Sequence, residues 1–200
     1  LAAALQTYSR VRRPRACRCR AAVHGSADAP LEEIAGLWER NRLRYGVTVD
    51  RSVAYLRWRV SDDPHVEHEY LTMHGDDGLL GYAITFVQDD ALHVVDVLVD
   101  GARADLFQDL FAAVIRRGRE LRVERIKCLT LRRSALLPSR LRRGGFIDTA
   151  ALSPASLTRR ARPRQFYVYI PEELRGEPKI TDNEDWYITA LVLEGLPRPT

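Results

Sequence analysis

Residues Leu79–Phe146 read LLGYAITFVQDDALHVVDVLVDGARADLFQDLFAAVIRRGRELRVERIKCLTLRRSALLPSRLRRGGF, and the order of periodicities in this stretch decides the fold. Leu79 to Val87 is rich in β-branched and aromatic residues and reads as a strand. Gln88-Asp89-Asp90 makes a turn, and Ala91 to Val99 a second strand. From about Arg103 to Leu121 the apolar period lengthens: Leu106, Leu110, Val114 and Leu121 lie along one helical stripe, widened by Phe107, Phe111 and Ile115. Ile126 to Leu131 is again strand-like. Ser134 or Leu137 caps a short helix that must carry Pro138 in its first turn, because a proline deeper in would break it, and Gly144-Gly145 ends that helix. A strand–helix–strand step is a right-handed crossover, so the strands on either side of the long helix are expected to be parallel.

Upstream, Asp76-Asp77-Gly78 supplies the positive φ of a tight hairpin and joins Leu79–Val87 to a strand over Glu67–His74. Glu67 to Val99 is thus an antiparallel meander. Before it, Leu31 to Tyr45 is an amphipathic helix with Ile34, Leu37, Trp38 and Tyr45 on one stripe, preceded by Pro30 and stopped by Gly46. Asp50 stands as the N-cap of a second helix with Val53, Leu56 and Val60 on one face, closed by Ser61-Asp62-Asp63-Pro64. Downstream, residues 150–164 read as an arginine-bearing linker, Gln165–Ile170 as a strand, 171–185 as a polar loop and Trp186–Leu193 as the last strand. The expected architecture is an α/β (α+β) domain: a mixed, mostly antiparallel sheet of about six strands flanked by helices, over residues 31–196, behind an arginine-rich disordered tail over residues 1–30.

The 200 residues, 46% of them hydrophobic, suffice for one domain with its own core. No apolar run is long enough to cross a bilayer. The net charge is +4, and it rests on arginine, since Lys127 and Lys179 are the only lysines. Arginine's planar fork suits phosphate, so nucleic acid, an acidic membrane or a phosphorylated cofactor all fit. Nucleic acid is the weakest of these, because no basic patch interleaved with aromatic residues accompanies the arginines. Residues 1–27 hold no acid and carry Arg10, Arg12, Arg13, Arg15, Arg18 and Arg20. Such a start mimics an organelle presequence, but a disordered tail is the simpler reading. Cys17 and Cys19 are too close for easy bridging and Cys128 sits in a buried strand, so free thiols and a reducing, cytoplasmic setting are expected. Cys17, Cys19 and His24 do not make a zinc set, nor do His65, His68 and His74, and no metal is expected.

Two helices, a three-strand meander, a helix, a strand, a helix and two closing strands form an order that resembles the GNAT acyltransferases, over roughly Leu31 to Leu193. Within that superfamily the chain looks most like divergent domains of bacterial polysaccharide and cell-envelope biosynthesis proteins. Two patches carry this finer likeness: Arg44-Tyr45-Gly46-Val47-Thr48 with Tyr55-Leu56-Arg57-Trp58-Arg59, and Asn183-Glu184-Asp185-Trp186-Tyr187-Ile188-Thr189.

The resemblance implies an acyl-CoA-dependent N-acyltransferase that uses acetyl-CoA or another acyl-CoA as cosubstrate. It would act on a primary amine of a small molecule, such as an amino sugar or cell-envelope precursor. It also implies that the strand over 91–99 splays from the strand over 125–131. The exposed edge at Val97, Leu98 and Val99 would then hold the pantetheine arm, with the pyrophosphate at the start of the long helix. The family's loop, Gln/Arg-x-x-Gly-x-Gly/Ala, is degraded here. Its small positions fall near Asp105 and Phe107, where an aspartate repels phosphate and a phenylalanine blocks close approach. Gly101, Ala102 and Ala104 remain small, and Arg103, Arg132 and Arg133 could supply charge.

Asp96 and His93 are the candidate catalytic groups, Asp96 as a carboxylate among Leu92, Val94 and Leu98 and His93 as a base near its natural pKa. Strict alternation places the two on opposite faces. Where many members have an acidic tyrosine on the fourth helix, this chain has none; Ser134 or Ser139 are the substitutes. Two alternatives stand beside the enzyme: a catalytically inactive GNAT-like binding or structural module, and one half of a tandem GNAT protein. The oligomeric state is open, a homodimer included.

Overall fold

A computed structural model describes residues 19–131, 134–148 and 183–192. Five strands form one sheet in the order β1-β2-β3-β4-β5. They are β1 (Arg20–Gly25), β2 (Glu69–Gly75), β3 (Gly78–Gln88), β4 (Ala91–Val99) and β5 (Arg125–Cys128). The helices are α1 (Leu31–Asn41), α2 (Val53–Leu56, continued by a π-type turn over Arg57–Ser61), α3 (Ala104–Glu120) and α4 (Leu137–Arg143).

β1 to β4 are antiparallel neighbours, and β5 joins β4 in parallel, as the crossover through α3 requires. Local chemistry explains the turns. Asp89 and Asp90 both adopt positive φ between the paired residues Gln88 and Ala91, the two-residue geometry whose twist matches a hairpin. Gly78, at φ 108, closes the β2–β3 turn. Ser52, rather than Asp50, caps α2 by accepting from the Tyr55 N–H. Asp50 instead takes the Trp38 Nε1–H at 3.1 Å and the Arg51 N–H at 2.8 Å. Pro138 lies at the start of α4.

The helices cover both faces of the sheet. Tyr70 of β2 meets Ser61, just after α2, at 2.8 Å. Its neighbour Glu69 pairs with Arg117 of α3. Adjacent residues of a strand point to opposite faces, so α2 and α3 lie on opposite sides. Leu106, Phe107, Leu110, Phe111 and Val114 of α3 are buried against the sheet, the stripe read from the sequence. Gly118 lets α3 come close to β5, where a Cβ would stand 3.0 Å from the Ile126 side chain.

Four expectations change. The sheet has five strands among the described residues rather than about six. Gln165–Ile170 lies outside the described residues. The described part of the expected last strand, residues 186–192, is not a strand: it contributes one bridge, Val47 to Trp186, and then a 3-10 turn over Ala190–Val192, and Leu193 lies outside the described residues. β1 forms inside the stretch expected as tail, because a half-exposed edge strand needs only the free edge of β2. The fourth concerns cysteine. Cys128 is a free thiol but Cys19 is disulfide-bonded, so the cysteines give no argument for a reducing compartment.

Candidate functional site

The geometry that sets this region apart is the parting of β4 and β5. The two strands pair from Ala91↔Arg125 to Val94↔Cys128. β5 ends there and β4 continues to Val99. A β-bulge lies at the fork, since Ile84 faces Asp96 and Thr85 faces Val94, leaving Val95 as the extra residue. The bulge reverses parity along β4. Asp96 and His93 pair with Ile84 and Phe86, which are two residues apart on β3, so both point to the same face. This corrects the simple alternation, and it turns Asp96 toward the α1–α2 connection.

There Asp96 meets Arg51, a residue that no local sequence pattern singles out. The guanidinium donates from Nε to Oδ2 at 2.8 Å and from Nη2 to Oδ1 at 2.9 Å. Tyr82 Oη donates to Oδ2 at 2.6 Å and Thr189 Oγ1 to Oδ1 at 2.7 Å. Arg51 Nη1 donates to Thr48 Oγ1 and to the Val49 carbonyl, and the rings of Trp38 and Tyr187 flank the guanidinium at 5.1 and 5.7 Å. Burial is the largest single influence on the Arg51 pKa and lowers it, but the charge and hydrogen bonds of Asp96, with Tyr82 and Tyr187, together raise it. Both side chains are shut from solvent. With four hydrogen bonds received, Asp96 is an organising carboxylate rather than one turned toward a substrate.

The open edge of β4 is itself occupied. Tyr45 Oη donates to the Val99 carbonyl at 2.5 Å and accepts from the Val99 N–H at 2.9 Å. Tyr187 Oη donates to the Val97 carbonyl at 2.5 Å. The two rings touch edge to face, with centroids 4.6 Å apart. Burial drives the pKa of both phenols up, so they stay protonated and able to donate. Val97, Leu98 and Val99 are fully buried.

Tyr187 arrives on the segment 184–191, which runs beside Val47 and reaches β4 through its side chains. Val47 donates its N–H to the Asp185 carbonyl at 3.2 Å and accepts from the Tyr187 N–H at 2.9 Å. Ala135 N–H, near α4, donates to the Glu184 carbonyl. Arg59 Nε reaches the Leu191 carbonyl. Gly46 makes the approach possible: at φ 61, a Cβ there would lie 2.1 Å from the Asp185 carbonyl oxygen.

The expected phosphate loop is a tight turn over Asp100–Ala102, with Gly101 and Ala102 both at positive φ. Gly101 N–H donates to Asn41 Oδ1 at 2.6 Å, and Asn41 Nδ2 donates to Asp100 Oδ1 at 2.8 Å. Arg103 is exposed and forks onto Asp105, whose pKa is lowered first by that hydrogen bond. Ala104 begins α3. Phe107 points into the core against Phe111 and not into the loop. Arg132 and Arg133 lie outside the described residues.

His93 stacks on Phe86 at 4.7 Å, and burial, aided by Lys127, lowers its pKa. It sits on the paired side of the fork, opposite Lys127. Cys128, at the fork, has its thiol pushed up to about 12 by burial and then by the Asp96 charge, which leaves it a poor nucleophile. Ser139 Oγ donates to the Leu136 carbonyl, whereas Ser134 Oγ is buried without a hydrogen-bond partner. Among the described residues, no group of three or more His, Cys, Asp or Glu could hold a metal ion, and no helix is long and apolar enough to cross a membrane.

No protein-family model matches the sequence, and no curated protein matches it. Solved structures do. The chain is similar to an aminoglycoside acetyltransferase from an uncultured soil metagenomic sample in complex with sisomicin. The identity is 11% over 77% of this chain and 97% of that one, with a TM-score of 0.51. A second structure of that acetyltransferase, in complex with trehalose, gives 12% identity over 77% and 97%, with a TM-score of 0.50. At such identities the likeness establishes the fold: this chain has the GNAT-like acyltransferase fold.

Proposed function

We propose that this chain is an acyl-CoA-dependent N-acyltransferase, moving an acetyl or other acyl group from a coenzyme A thioester to a primary amine on a small molecule. The observation that carries the reading is the fork. β5 leaves β4 after the Val94↔Cys128 pair, and β4 goes on to present the N–H and C=O groups of Val97 and Val99 at an edge that β5 does not cover. Alternating backbone donors and acceptors on an unpaired edge suit the amides of a pantetheine arm.

In this reading Val97, Leu98 and Val99 would hold that arm. Gly101, Ala102, Arg103 and Ala104, with Arg132 and Arg133, would face the phosphates. The amine nitrogen attacks the thioester carbonyl, the C–S bond breaks, the amine loses one proton and the thiolate gains one. With Asp96 fully engaged by hydrogen bonds, His93, held neutral by its lowered pKa, is left as the candidate proton acceptor. Asp96 contributes by fixing Arg51 and Thr189. Among acceptors, an amino sugar or a cell-envelope precursor suits the finer resemblance. Its patches 44–48 and 183–189 meet in space through Val47 and Trp186. A cytoplasmic location belongs to this reading. Calorimetric titration with coenzyme A, followed by an acetyl-transfer screen over primary amines, tests it; no binding up to millimolar coenzyme A and no transfer would overturn it.

A second reading rests on its own observation. The Val97 and Val99 edge is already satisfied by Tyr45 and Tyr187, and Arg103 is already paired with Asp105. Such a chain also suits a non-catalytic GNAT-like module, or one half of a tandem protein. Transfer activity in the amine screen decides against it.

A further inference from the structure

The groups that would bind an acyl donor are present, but the chain's own residues hold them. Tyr45 Oη takes both backbone groups of Val99, and Tyr187 Oη takes the Val97 carbonyl. These contacts reproduce what an extended diamide ligand would give the same edge: a donor to Val97, and a donor and an acceptor at Val99. The segment that brings Tyr187 is anchored at both ends and in its middle. Glu184 is tied to Ala135, Asp185 and Tyr187 to Val47, Thr189 to Asp96 and Leu191 to Arg59. Ile188 and Leu191 are buried with it.

We propose that segment 184–191 is an internal plug of the donor groove: an acyl-pantetheine arm and this segment compete for one strand edge, and donor binding requires Tyr45 and Tyr187 to release it. The proposal rests on the N-acyltransferase reading and adds its regulation. The plug is held by hydrogen bonds, by one close backbone approach and by the burial of Trp186, Tyr187, Ile188 and Leu191, rather than by a covalent link to the edge. Anything that loosens those contacts therefore shifts the balance toward the open groove. Gly46 is the second support. Its missing Cβ is what admits the Asp185 carbonyl, so the plug can be loosened by a change that leaves both tyrosine hydroxyls in place.

The test uses the full chain with coenzyme A as the probe. Tyr45→Phe/Tyr187→Phe keeps both rings and removes both hydroxyls; Gly46→Ala pushes on Asp185. Amide hydrogen exchange reports the plug without ligand, and calorimetry reports coenzyme A binding. The proposal expects faster exchange in 184–191 and at Val99 for both variants, together with coenzyme A binding at least about tenfold tighter than wild type. Faster exchange with unchanged or weaker binding, where wild type binds, overturns the plug and leaves the acyltransferase reading standing. Exchange that does not change in either variant also overturns the plug. Faster exchange with no binding by any form overturns the acyltransferase reading, and the competition falls with it. Should the double variant fail to fold, Tyr187→Phe alone is read against the same outcomes.

Discussion

Arg51 and Asp96 stand 45 residues apart in the chain and share two parallel hydrogen bonds, 2.8 and 2.9 Å long, with no solvent access to either side chain. The pair ties the α1–α2 connection to the middle of β4. Removing one partner leaves a buried charge uncompensated, so Arg51→Met should destabilise by about 3–5 kcal/mol. Asp96→Leu should cost a similar amount. The double variant should recover much of the loss, because an apolar pair leaves no stranded charge. Urea unfolding of the three variants measures this. Strictly additive losses would show that the two residues act independently.

Phe111 is fully buried in α3 and contacts the rings of Phe107 and Phe146 at 5.9 and 5.3 Å. It fixes α3 to the end of α4, since a Cβ on Gly144 would come within 2.9 Å of its ring. Phe111→Ala should cost about 3–5 kcal/mol, measured by the same unfolding transition with an unchanged m-value. Phe111→Leu should cost much less, because most of the volume is kept.

The first of these predictions depends on something the sequence does not display. The Leu79–Val99 hairpin is legible because Asp89-Asp90 and Gly78 carry turn chemistry in their identities, and α3 because its apolar stripe has the helical period. Arg51–Asp96 is not, because a bulge at Val95 decides which way Asp96 points, and one inserted residue leaves no local trace. A signal did exist: an aspartate inside an apolar strand needs a buried countercharge somewhere. The sequence does not say where. Tyr45 is legible as a core position on the stripe of the first expected helix, but the target of its hydroxyl lies 54 residues on, and that of Tyr187 lies 90 residues back. β1 is not legible because Arg20–Gly25 alternates weakly and gains its structure only from the edge of β2.

His68 is fully buried against Phe86, and burial lowers its pKa, with Asp63 and the Val66 and Val60 backbone pulling the other way. His93, which stacks on Phe86, is also lowered by burial. For a histidine whose folded pKa is depressed, the unfolded chain binds protons first as pH falls. Stability should therefore be full above the ordinary histidine value near 6.5 and decline as pH drops through it toward the folded pKa. Denaturant midpoints between pH 8 and pH 5 should show that decline, and His68→Phe should flatten it. A midpoint that holds steady over the range, or rises on acidification, would contradict the assignment.

In the proposed donor loop, Arg103 separates anion binding from stability. It is exposed, and its fork is spent on Asp105, two residues along and in the first turn of α3. An exposed pair of this kind contributes little to folding, so Arg103→Ala should leave the thermal midpoint where it is. Asp105 is the obstacle to an anion at that helix start, because its charge opposes phosphate while the helix dipole favours it. Asp105→Asn should therefore free the Arg103 fork and remove the repulsion at once. Coenzyme A should bind more tightly to Asp105→Asn and more weakly to Arg103→Ala. Dephospho-coenzyme A and free pantetheine serve as controls. The gain from Asp105→Asn should persist with dephospho-coenzyme A, which retains the pyrophosphate, and vanish with pantetheine, which has none. A gain that survives with pantetheine would place the effect on the β4 edge instead of the helix start.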